Sequence, residues 1–418
     1  NYGCIRQNFR QDEFYKAHHQ KDDAKMSQPS LISQRAVALN PSLTLAISAR
    51  AKALIKEGKD ICSLSAGEPD FDTPQFIVEA AVKALRDGIT RYGPAAGDPE
   101  LREAIASKLK DCNHIPIGSD NVLVTNGGKQ AIYNLFQVIL NQGDEVIIPT
   151  PYWLSYPEIA FLAGAKPIPL PSSAKEGFSI DFEQLEALIT ERTKLLILNS
   201  PCNPTGRVMS KIEMEQIAEI LRKHPKVLIM SDEIYEFLLA ENEVHHSFGS
   251  IAPDLIDRIF TVNGFAKGWA MTGWRIGYLS GNREVIKAAS ALQSHSTSNV
   301  CSFAQRGALA ALNGSKDCVL TMAKSYNHRR AILSKGLTGI DSLTLVEPTG
   351  AFYAFPQLPP NNPGSIKFCE IALEEVGLAM IPGAAFGEDQ CVRLSCAVAD
   401  NTILDGLRRL KEFLPSFS

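Results

Sequence analysis

The stretch Asn263-Gly-Phe-Ala-Lys267-Gly-Trp-Ala-Met-Thr-Gly-Trp-Arg275-Ile-Gly-Tyr278 places a lysine eight residues before an arginine. Small residues lie between the two basic side chains, and strand-like runs flank the stretch on both sides. A lysine amine can form an imine with an aldehyde, and a guanidinium can bind a phosphate with two parallel hydrogen bonds. Because most lysines near a glycine simply face solvent, this pair indicates a site only if other segments supply its remaining parts.

The composition is that of an ordinary globular protein. Of the 418 residues, 45% are apolar and 21% are charged, and this length predicts roughly two to three domain-sized units. A net charge of −4 with mixed signs offers no electrostatic footprint for nucleic acid or for an anionic membrane. The sequence has no apolar run of the roughly 20 residues that cross a bilayer, and its amino end lacks the apolar region of a secretion signal. We therefore expect a cytoplasmic protein without nucleic-acid or membrane partners.

Neither a metal site nor a disulfide framework is expected. The nine cysteines are odd in number, scattered in spacing and free of any C-x-x-C pair, which favours reduced thiols. The pair His245-His246 is interpreted as part of a polar loop, because no third ligand stands at a useful spacing in the sequence.

The pattern of the chain predicts four parts. Residues 1–25 are polar with mixed charge and no apolar period, so we expect a disordered extension, a remnant of cloning or translation, with Met26 as a natural start. A targeting presequence is less favoured, because acidic residues are too frequent there. Residues 26–74 are expected to pack with a small domain, residues 75–320 to form a large α/β domain, and residues 321–418 to form the small α+β domain.

Apolar runs alternate with helical patterns in the middle of the chain. The alternation predicts a mostly parallel, seven-stranded type of α/β sheet, and the runs are continuous, so helices should cover both faces. Glycines and prolines mark the strand ends, where ligands bind in such sheets. The predicted strands cover residues 122–125, 145–149, 167–170, 195–198, 227–230 and 259–262.

A phosphate cradle is predicted where the first of these strands ends. Thr125-Asn-Gly-Gly-Lys129 joins the strand to a helix start. Two glycines let the backbone approach an anion, and the free N–H groups of a helix N-terminus bind it. A tight turn is the plainer alternative for an isolated Gly-Gly. If the cradle is real, Arg275 is the planar partner for the same phosphate.

Four more side chains follow strand ends and suit the ring of a heteroaromatic cofactor. Trp153 could stack on the ring, and Asn203, in a proline-rich turn, could donate to a ring oxygen. Asp232 could pair with a protonated ring nitrogen, with Tyr235 hydrogen-bonded to the ring oxygen. Taken singly, each has a plain alternative: a core tryptophan, a structural turn, or an aspartate that caps a helix. Together, and in this order, the parts predict a site for pyridoxal phosphate.

These residues resemble those of the fold-type I pyridoxal-phosphate enzymes. The resemblance runs from about Ser42 to the C-terminus and is closest to class I aminotransferases of the bacterial-type aspartate aminotransferase subgroup. It is carried by the motifs Ser65–Pro74, Tyr92–Gly97, Thr125–Lys129, Pro151–Tyr156, Asn203–Gly206, Ser231–Tyr235, Lys267–Arg275 and Val392–Ser395.

The resemblance implies a role for each residue around the cofactor ring. Lys267 would form the covalent link to the cofactor and then carry the proton. Asp232 would pair with the ring nitrogen, Asn203 and Tyr235 would contact the ring oxygen, and Trp153 would stack on the ring.

The resemblance also implies how the phosphate end is held. Gly128, Lys129 and Arg275 would surround the phosphate. Tyr92 would reach the phosphate of the neighbouring subunit, so a homodimer with shared active sites is expected.

Substrate contacts follow from the same resemblance. Arg393 would hold the substrate α-carboxylate, with Gly67, Asn203 and Trp153 beside it. Lys129 would reach the distal carboxylate of a dicarboxylic substrate. The expected reaction is a ping-pong transfer of an amino group from aspartate, or a similar amino acid, to 2-oxoglutarate.

Two enzymatic alternatives and one non-enzymatic alternative stay open at this point. Broader activity on prephenate or aromatic substrates is ranked lower, because relatives with that activity tend to carry threonine where this chain has Ser65. A β-lyase or decarboxylase could use the same scaffold. A cofactor-sensing regulator would need a folded DNA-binding domain upstream, and residues 1–25 are too short for one.

Overall fold

The computed structural model describes residues 31–39 and 43–417. The prediction for residues 1–25 lies outside the described residues. Residues up to Pro41 form a unit of their own, in which the side chain of Ser33 caps the short helix Gln34–Ala38. A second, compact unit runs from Ser42 to Ser418 and contains every element described below.

The strands of the second unit are short and mostly buried. In chain order they are β1 Cys62–Ser63, β2 Val122–Thr125, β3 Glu145–Pro149, β4 Lys166–Leu170, β5 Thr193–Asn199, β6 Leu228–Asp232, β7 Ile259–Gly264, β8 Gly277–Ser280, β9 Tyr353–Ala354, β10 Leu378–Ala379, β11 Ile381–Pro382 and β12 Val392–Ser395.

Helices fill most of the chain between these strands. The α-helices of the second unit cover Leu43–Lys56, Gln75–Arg86, Pro99–Asn113, Gly128–Ile139, Ser155–Leu162, Phe182–Leu188, Lys211–Lys223, Phe248–Ile251, Arg283–Ser296, Ser302–Asn313, Asp317–Thr338, Ser365–Glu375 and Asp400–Phe413. Turns of 3-10 helix lie at Ser119–Asn121, Ala174–Glu176, Pro253–Arg258, Gly383–Phe386 and Leu414–Phe417.

Seven strands form the large sheet, in the order β2-β8-β7-β6-β5-β3-β4. Neighbours pair in parallel from β7 to β4, whereas β8 is antiparallel to both β7 and β2. Strand β2 therefore points the same way as the parallel strands, and β8 alone is reversed. The prediction of a mostly parallel α/β sheet is confirmed.

Helices cover the large sheet on both faces, as the continuous apolar runs predicted. Alternate residues of β5 belong to two different buried clusters, because successive side chains of a strand point to opposite faces. Leu195 and Ile197 pack in a cluster with the helix Gly128–Ile139, and Leu196 and Leu198 pack in another with the helix Lys211–Lys223.

Two smaller sheets complete the second unit. One contains β11, β12 and β9 in antiparallel pairing, and the other pairs β1 with β10 in parallel. One buried cluster joins Cys62 and Leu64, which are early in the chain, to late residues such as Phe352 and Leu394. The boundaries predicted at residues 74 and 320 stay predictions, since the chain from Ser42 onward is a single compact unit.

None of the described helices is both long and apolar enough to span a bilayer.

Removing a core side chain from β5 is predicted to destabilise the fold strongly. Ile197 is 1% exposed and packs against a helix, so Ile197→Ala loses buried apolar contacts and leaves a cavity. We expect the free energy of unfolding to fall by about 2–5 kcal/mol, measured by urea denaturation.

The matched control is Ile212→Ala, because Ile212 is 69% exposed on the helix Lys211–Lys223. It should change the free energy of unfolding by about 0.5 kcal/mol or less. Equal effects of the two substitutions would contradict the placement of β5 in the core.

Candidate active site

The sheet topology explains why residues far apart in sequence meet at one edge. The carboxyl ends of β2, β3, β5, β6 and β7 all lie at this edge, because these strands run the same way. The reversed strand β8 begins there, so the residues just before it also reach the edge. Ligands bind at this edge in sheets of this kind.

A cavity of about 770 Å³ lies at this edge of the sheet. Ten of the eleven residues that the sequence predicted for the site line its wall. They are Gly67, Gly128, Lys129, Trp153, Asn203, Asp232, Tyr235, Lys267, Arg275 and Arg393.

Tyr92 is the predicted residue that does not line the cavity. Its side chain is 90% exposed. Its role toward a neighbouring subunit therefore stays a prediction.

Lys267 lies in the short turn after β7, with its amine inside the cavity. Its Nζ donates a hydrogen bond to the backbone carbonyl of Gly67. Burial and the nearby guanidinium groups of Arg393 and Arg275 outweigh the opposing charges of Glu68 and Asp232, and together they lower the pKa of Lys267 to about 8. A lysine with this pKa has a substantial neutral fraction near pH 8, as a nucleophile or base needs.

Asp232 is the last residue of β6 and is 5% exposed. One carboxylate oxygen accepts a 2.7 Å hydrogen bond from the hydroxyl of Tyr156, and the other accepts from the backbone N–H of Ile234 at 3.3 Å. Burial raises the pKa of Asp232 to about 6, although the hydrogen bond from Tyr156 opposes the shift. The carboxylate is therefore mostly ionised at neutral pH. None of the described basic side chains forms an ion pair with it.

The turn between β2 and the helix Gly128–Ile139 fits tightly against Arg275. Gly127 has φ +81°, and no side chain caps the helix. A Cβ at Gly127 would lie 2.7 Å from Nη2 of Arg275. Arg275 itself has φ +55°, an uncommon conformation for a residue with a Cβ. Glycine is therefore required for this arginine to lie beside the helix N-terminus.

The donors of Arg275 are only partly used within the chain. Its Nη1 donates to the carbonyl of Thr272 at 3.0 Å, and its Nη2 donates to the carbonyl of Asn126 at 3.4 Å. No carboxylate among the described residues forms an ion pair with it. A guanidinium next to an uncapped helix N-terminus is a site for an anion.

Arg393 is a buried cation with no described anionic partner. Its side chain is 3% exposed, and it donates to Oδ1 of Asn203 at 2.9 Å and to the carbonyl of Ser65 at 3.2 Å. Its Nε is buried without a hydrogen-bond partner, and its guanidinium lies 4.4 Å from the ring centroid of Tyr353. Burial lowers the pKa of Arg393. Since a buried charge normally has a partner, this arginine suits an anionic ligand.

Lys129 and Trp153 lie together on another part of the wall. The Nζ of Lys129 is 4.9 Å from the ring centroid of Trp153, and no described carboxylate pairs with it. Desolvation lowers the pKa of Lys129, and the charge of Arg275 contributes in the same direction. Lys129, Arg275 and Arg393 are therefore cationic groups on the cavity wall that the described part of the chain leaves without ion pairs.

Asn203 and Tyr235 are held by contacts within the chain. The backbone N–H of Asn203 donates to Oδ1 of Asn199 at 2.9 Å, and its own Oδ1 accepts from Arg393. The hydroxyl of Tyr235 lies 2.8 Å from that of Tyr353, and burial raises its pKa well above the ordinary value. The side-chain amide of Asn203 thus keeps its donor for a ligand, while the predicted ring contact of Tyr235 stays a prediction.

Sequence reasoning missed Tyr156 and Tyr353 as parts of this site. Tyr156 lies in the first turn of the helix Ser155–Leu162, only three residues after Trp153. Its hydroxyl could have been suspected from its place at the end of the motif. Tyr353 belongs to β9 in a smaller sheet, and nothing in its local sequence indicates which strand end it faces.

The reason given against a metal site is wrong in one respect. Glu233 and Glu236 lie close to His245, and the three residues offer ligand atoms within 4.8 Å of one another. Their carboxylates are already engaged, however: Glu236 accepts from Lys108, Asn113 and Asn263. Ser231, Ser247 and His245 hydrogen-bond to Glu233. These partners account for the carboxylates without an ion.

The chain is similar to known proteins over most of its length. The model of the family "Aminotransferase class I and II" matches residues 59–410. A bifunctional aspartate aminotransferase and glutamate/aspartate-prephenate aminotransferase of Petunia hybrida is 45% identical over 92% of this chain and 82% of its own length. An aspartate aminotransferase of Bacillus subtilis is 42% identical over 93% of this chain and 100% of its own.

Solved structures show the same similarity over the whole fold. The aspartate aminotransferase of Thermus thermophilus with maleate is 43% identical, covers 92% of this chain and 100% of its own, and superposes with a TM-score of 0.88. The enzyme of Rhizobium meliloti is 37% identical over 93% of this chain and 100% of its own, with a TM-score of 0.89. The chain therefore belongs to the class I and II aminotransferases.

Proposed function

We propose that this aminotransferase uses pyridoxal phosphate to move an amino group between aspartate, or a similar amino acid, and 2-oxoglutarate in a ping-pong reaction. One observation carries the proposal: a lysine with a lowered pKa and a buried aspartate line the same cavity as Lys129, Arg275 and Arg393, which have no described ion pairs. Relatives that are named aspartate aminotransferases support the substrate class.

The residues present fit the cofactor. Arg275 fills the space beside Gly127. Its guanidinium and the N–H groups at the start of the helix Gly128–Ile139 are therefore available to a phosphate. The buried carboxylate of Asp232 has hydrogen bonds from Tyr156 and Ile234 and suits a cationic ring nitrogen. Asn203 keeps an amide donor for the ring oxygen, and Trp153 lies on the cavity wall as a stacking surface.

Pyridoxal phosphate, when bound, supplies an electron-poor ring that accepts the electron pair left by the departing Cα proton. The ionised Asp232 favours a protonated ring nitrogen, which keeps the ring electron-poor. Lys267 would hold the cofactor covalently between turnovers. Its Nζ would act as the base for the Cα proton of the bound amino acid, because its lowered pKa leaves a neutral fraction near pH 8.

Two cations are proposed to select the substrate. Arg393, buried and anchored by Asn203 and Ser65, would bind the α-carboxylate with parallel hydrogen bonds. Lys129, at the Trp153 side of the cavity, would bind the distal carboxylate. Dicarboxylic amino acids and their oxo acids carry both groups, and monocarboxylic ones leave Lys129 without a partner.

We also propose a homodimer with shared active sites and a cytoplasmic location. The exposure of Tyr92 supports the first, because an aromatic side chain that is 90% exposed is available to a neighbouring subunit. Eight cysteines of the described residues are free thiols, which supports a reducing compartment.

Activity on prephenate is a second candidate. The Petunia hybrida relative and several relatives from Rickettsia carry prephenate in their names. Ser65 stands at the cavity wall where we expect threonine in enzymes of that activity, so aspartate is the favoured substrate. A β-lyase reaction would give different products and is separated by the same assay.

Product analysis with aspartate and 2-oxoglutarate tests the reaction. We expect oxaloacetate and glutamate in equal amounts, and we expect Lys267→Ala to lower turnover by at least about 10²-fold and to remove the visible absorption of the bound cofactor. Lys226→Ala, on an exposed lysine paired with Glu191, is the matched control. Near-normal turnover of Lys267→Ala, or release of alanine and carbon dioxide by decarboxylation of aspartate, would refute the proposed reaction.

The rate at which the cofactor-free protein binds pyridoxal phosphate covalently should depend on pH. Only the neutral amine attacks the aldehyde, and burial lowers the pKa of Lys267 to about 8. The rate should therefore rise about tenfold per pH unit below pH 8 and level off above it. Stopped-flow absorbance measures the profile. A rate that keeps rising to pH 10 would indicate an ordinary lysine.

Removing the charge of Lys129 should change substrate preference more than overall activity. Lys129→Leu keeps an apolar stem beside Trp153 but cannot bind a carboxylate, so kcat/KM for aspartate should fall about tenfold or more. With alanine as donor, kcat/KM should change by about threefold or less. Equal losses for the two donors would assign Lys129 to the cofactor instead of the distal carboxylate.

A further inference from the structure

A buried network of charged and polar side chains lies directly behind Asp232. Glu233 follows Asp232 in the chain and is 1% exposed, and Glu236 is 6% exposed. The network joins the end of β6 to the helix Pro99–Asn113 through Lys108 and Asn113. None of the residues of this network lines the cavity. Asp232 does line it, and is joined to the network because it precedes Glu233 in the chain.

Glu233 lies at the centre of this network. Its Oε1 accepts from the hydroxyl of Ser231 at 2.8 Å, and its Oε2 accepts from the hydroxyl of Ser247 at 2.6 Å. The Nε2 of His245 lies 3.1 Å from the same Oε2. The other ring nitrogen of His245 is buried with no hydrogen-bond partner among the described residues, so the ring is oriented through Nε2, by Glu233 and by the hydroxyl of Ser247 at 3.4 Å.

The second glutamate is neutralised by a different cation. Glu236 accepts from the ammonium of Lys108 and from the amide of Asn263 at 2.8 Å. Asn263 is in β7, the strand that leads to Lys267. The network thus connects the strand that carries the aspartate with the strand that carries the lysine.

The network needs a second positive charge, which a protonated His245 can supply. Asp232, Glu233 and Glu236 are three buried carboxylates, and Lys108 is the buried lysine that pairs with one of them. A neutral His245 would leave Glu233 as an uncompensated negative charge next to Asp232. A buried charge without a partner is strongly unfavourable. An unpaired negative charge on Glu233 would also disfavour ionisation of the neighbouring Asp232.

We propose that His245 is a positioning residue whose positive charge, held against Glu233, keeps the adjacent Asp232 ionised toward the cofactor's ring nitrogen. The proposal rests on the proposed cofactor. It goes beyond the residues that contact the ligand, since His245 does not line the cavity.

The directions of the titrations agree with this geometry. The hydrogen bond and charge of Glu233, aided by Glu236, outweigh burial and Lys108 and raise the pKa of His245 above its ordinary value. The pKa of Glu233 is lowered, because hydrogen bonds from His245, Ser247 and Ser231 outweigh its burial. The charge of Glu233 in turn raises the pKa of Asp232. Burial and the charge of His245 lower the pKa of His246, the next residue in the chain.

The test is a pH titration of the visible absorption of the bound cofactor in four proteins: wild type, His245→Gln, His246→Gln and the double variant Glu233→Gln/His245→Gln. Glutamine can still hydrogen-bond to Glu233 but carries no charge. The extra net negative charge in His245→Gln should stabilise the protonated form of the bound cofactor and raise the titration midpoint by about half a unit or more. His246→Gln, next in the chain but without a contact to Glu233, should titrate like wild type.

The double variant separates charge from shape. It removes one negative and one positive charge together, so its midpoint should return close to that of wild type. A purely structural role of His245 predicts the opposite, because two altered side chains disturb the network more than one. A wild-type midpoint in His245→Gln, or a midpoint that stays displaced in the double variant, would overturn the proposal.

A measurement on the cofactor-free wild-type protein needs no variant to fold. Proton NMR should show a pKa of the His245 ring above the ordinary value of about 6.5, with the resonance assigned by its absence in His245→Gln. A value at or below the ordinary one would overturn the proposal. Failure of wild type to bind pyridoxal phosphate would refute the cofactor instead, and the NMR result would stand apart from it.

Discussion

The direction of five strands is the constraint on which this site depends. Because β2, β3, β5, β6 and β7 run the same way, their carboxyl ends meet at one edge. Residues separated by more than a hundred positions in sequence, such as Lys129 and Lys267, are thereby brought to one cavity, and Arg393 reaches it from β12 of a smaller sheet. The reversal of β8 is part of the same arrangement, since β8 begins at this edge and Arg275 lies just before it.

Close backbone contact makes the cradle and the lysine segment one rigid piece. A Cβ at Gly277, the first residue of β8, would lie 2.5 Å from the backbone nitrogen of Gly128 and 2.6 Å from the backbone carbon of Gly127. A Cβ at Gly264, at the end of β7, would lie 2.8 Å from the Cα of Gly277. The four glycines therefore let three backbone segments touch. The segment that carries Lys267 is thus packed directly against the turn that forms the anion site.

The large sheet and most of the cavity wall could be predicted from the sequence, because both follow from local patterns. The apolar runs predicted six of the seven strands of the large sheet. Tyr353 and the partners of Glu236 could not be predicted, because they come from distant elements whose position only the packed fold determines.

The chain concentrates uncompensated positive charge in the cavity and compensates negative charge behind it. Arg275 and Arg393 face the cavity without described carboxylate partners, whereas Glu233 and Glu236 are each paired away from it. Asp232 stands at the boundary, with hydrogen bonds but no ion pair to a described cation. A ligand that brings a phosphate, a carboxylate and one cationic ring nitrogen would neutralise each of these groups in place. Since such groups cost folding energy while they are unpaired, binding of that ligand should also stabilise the fold.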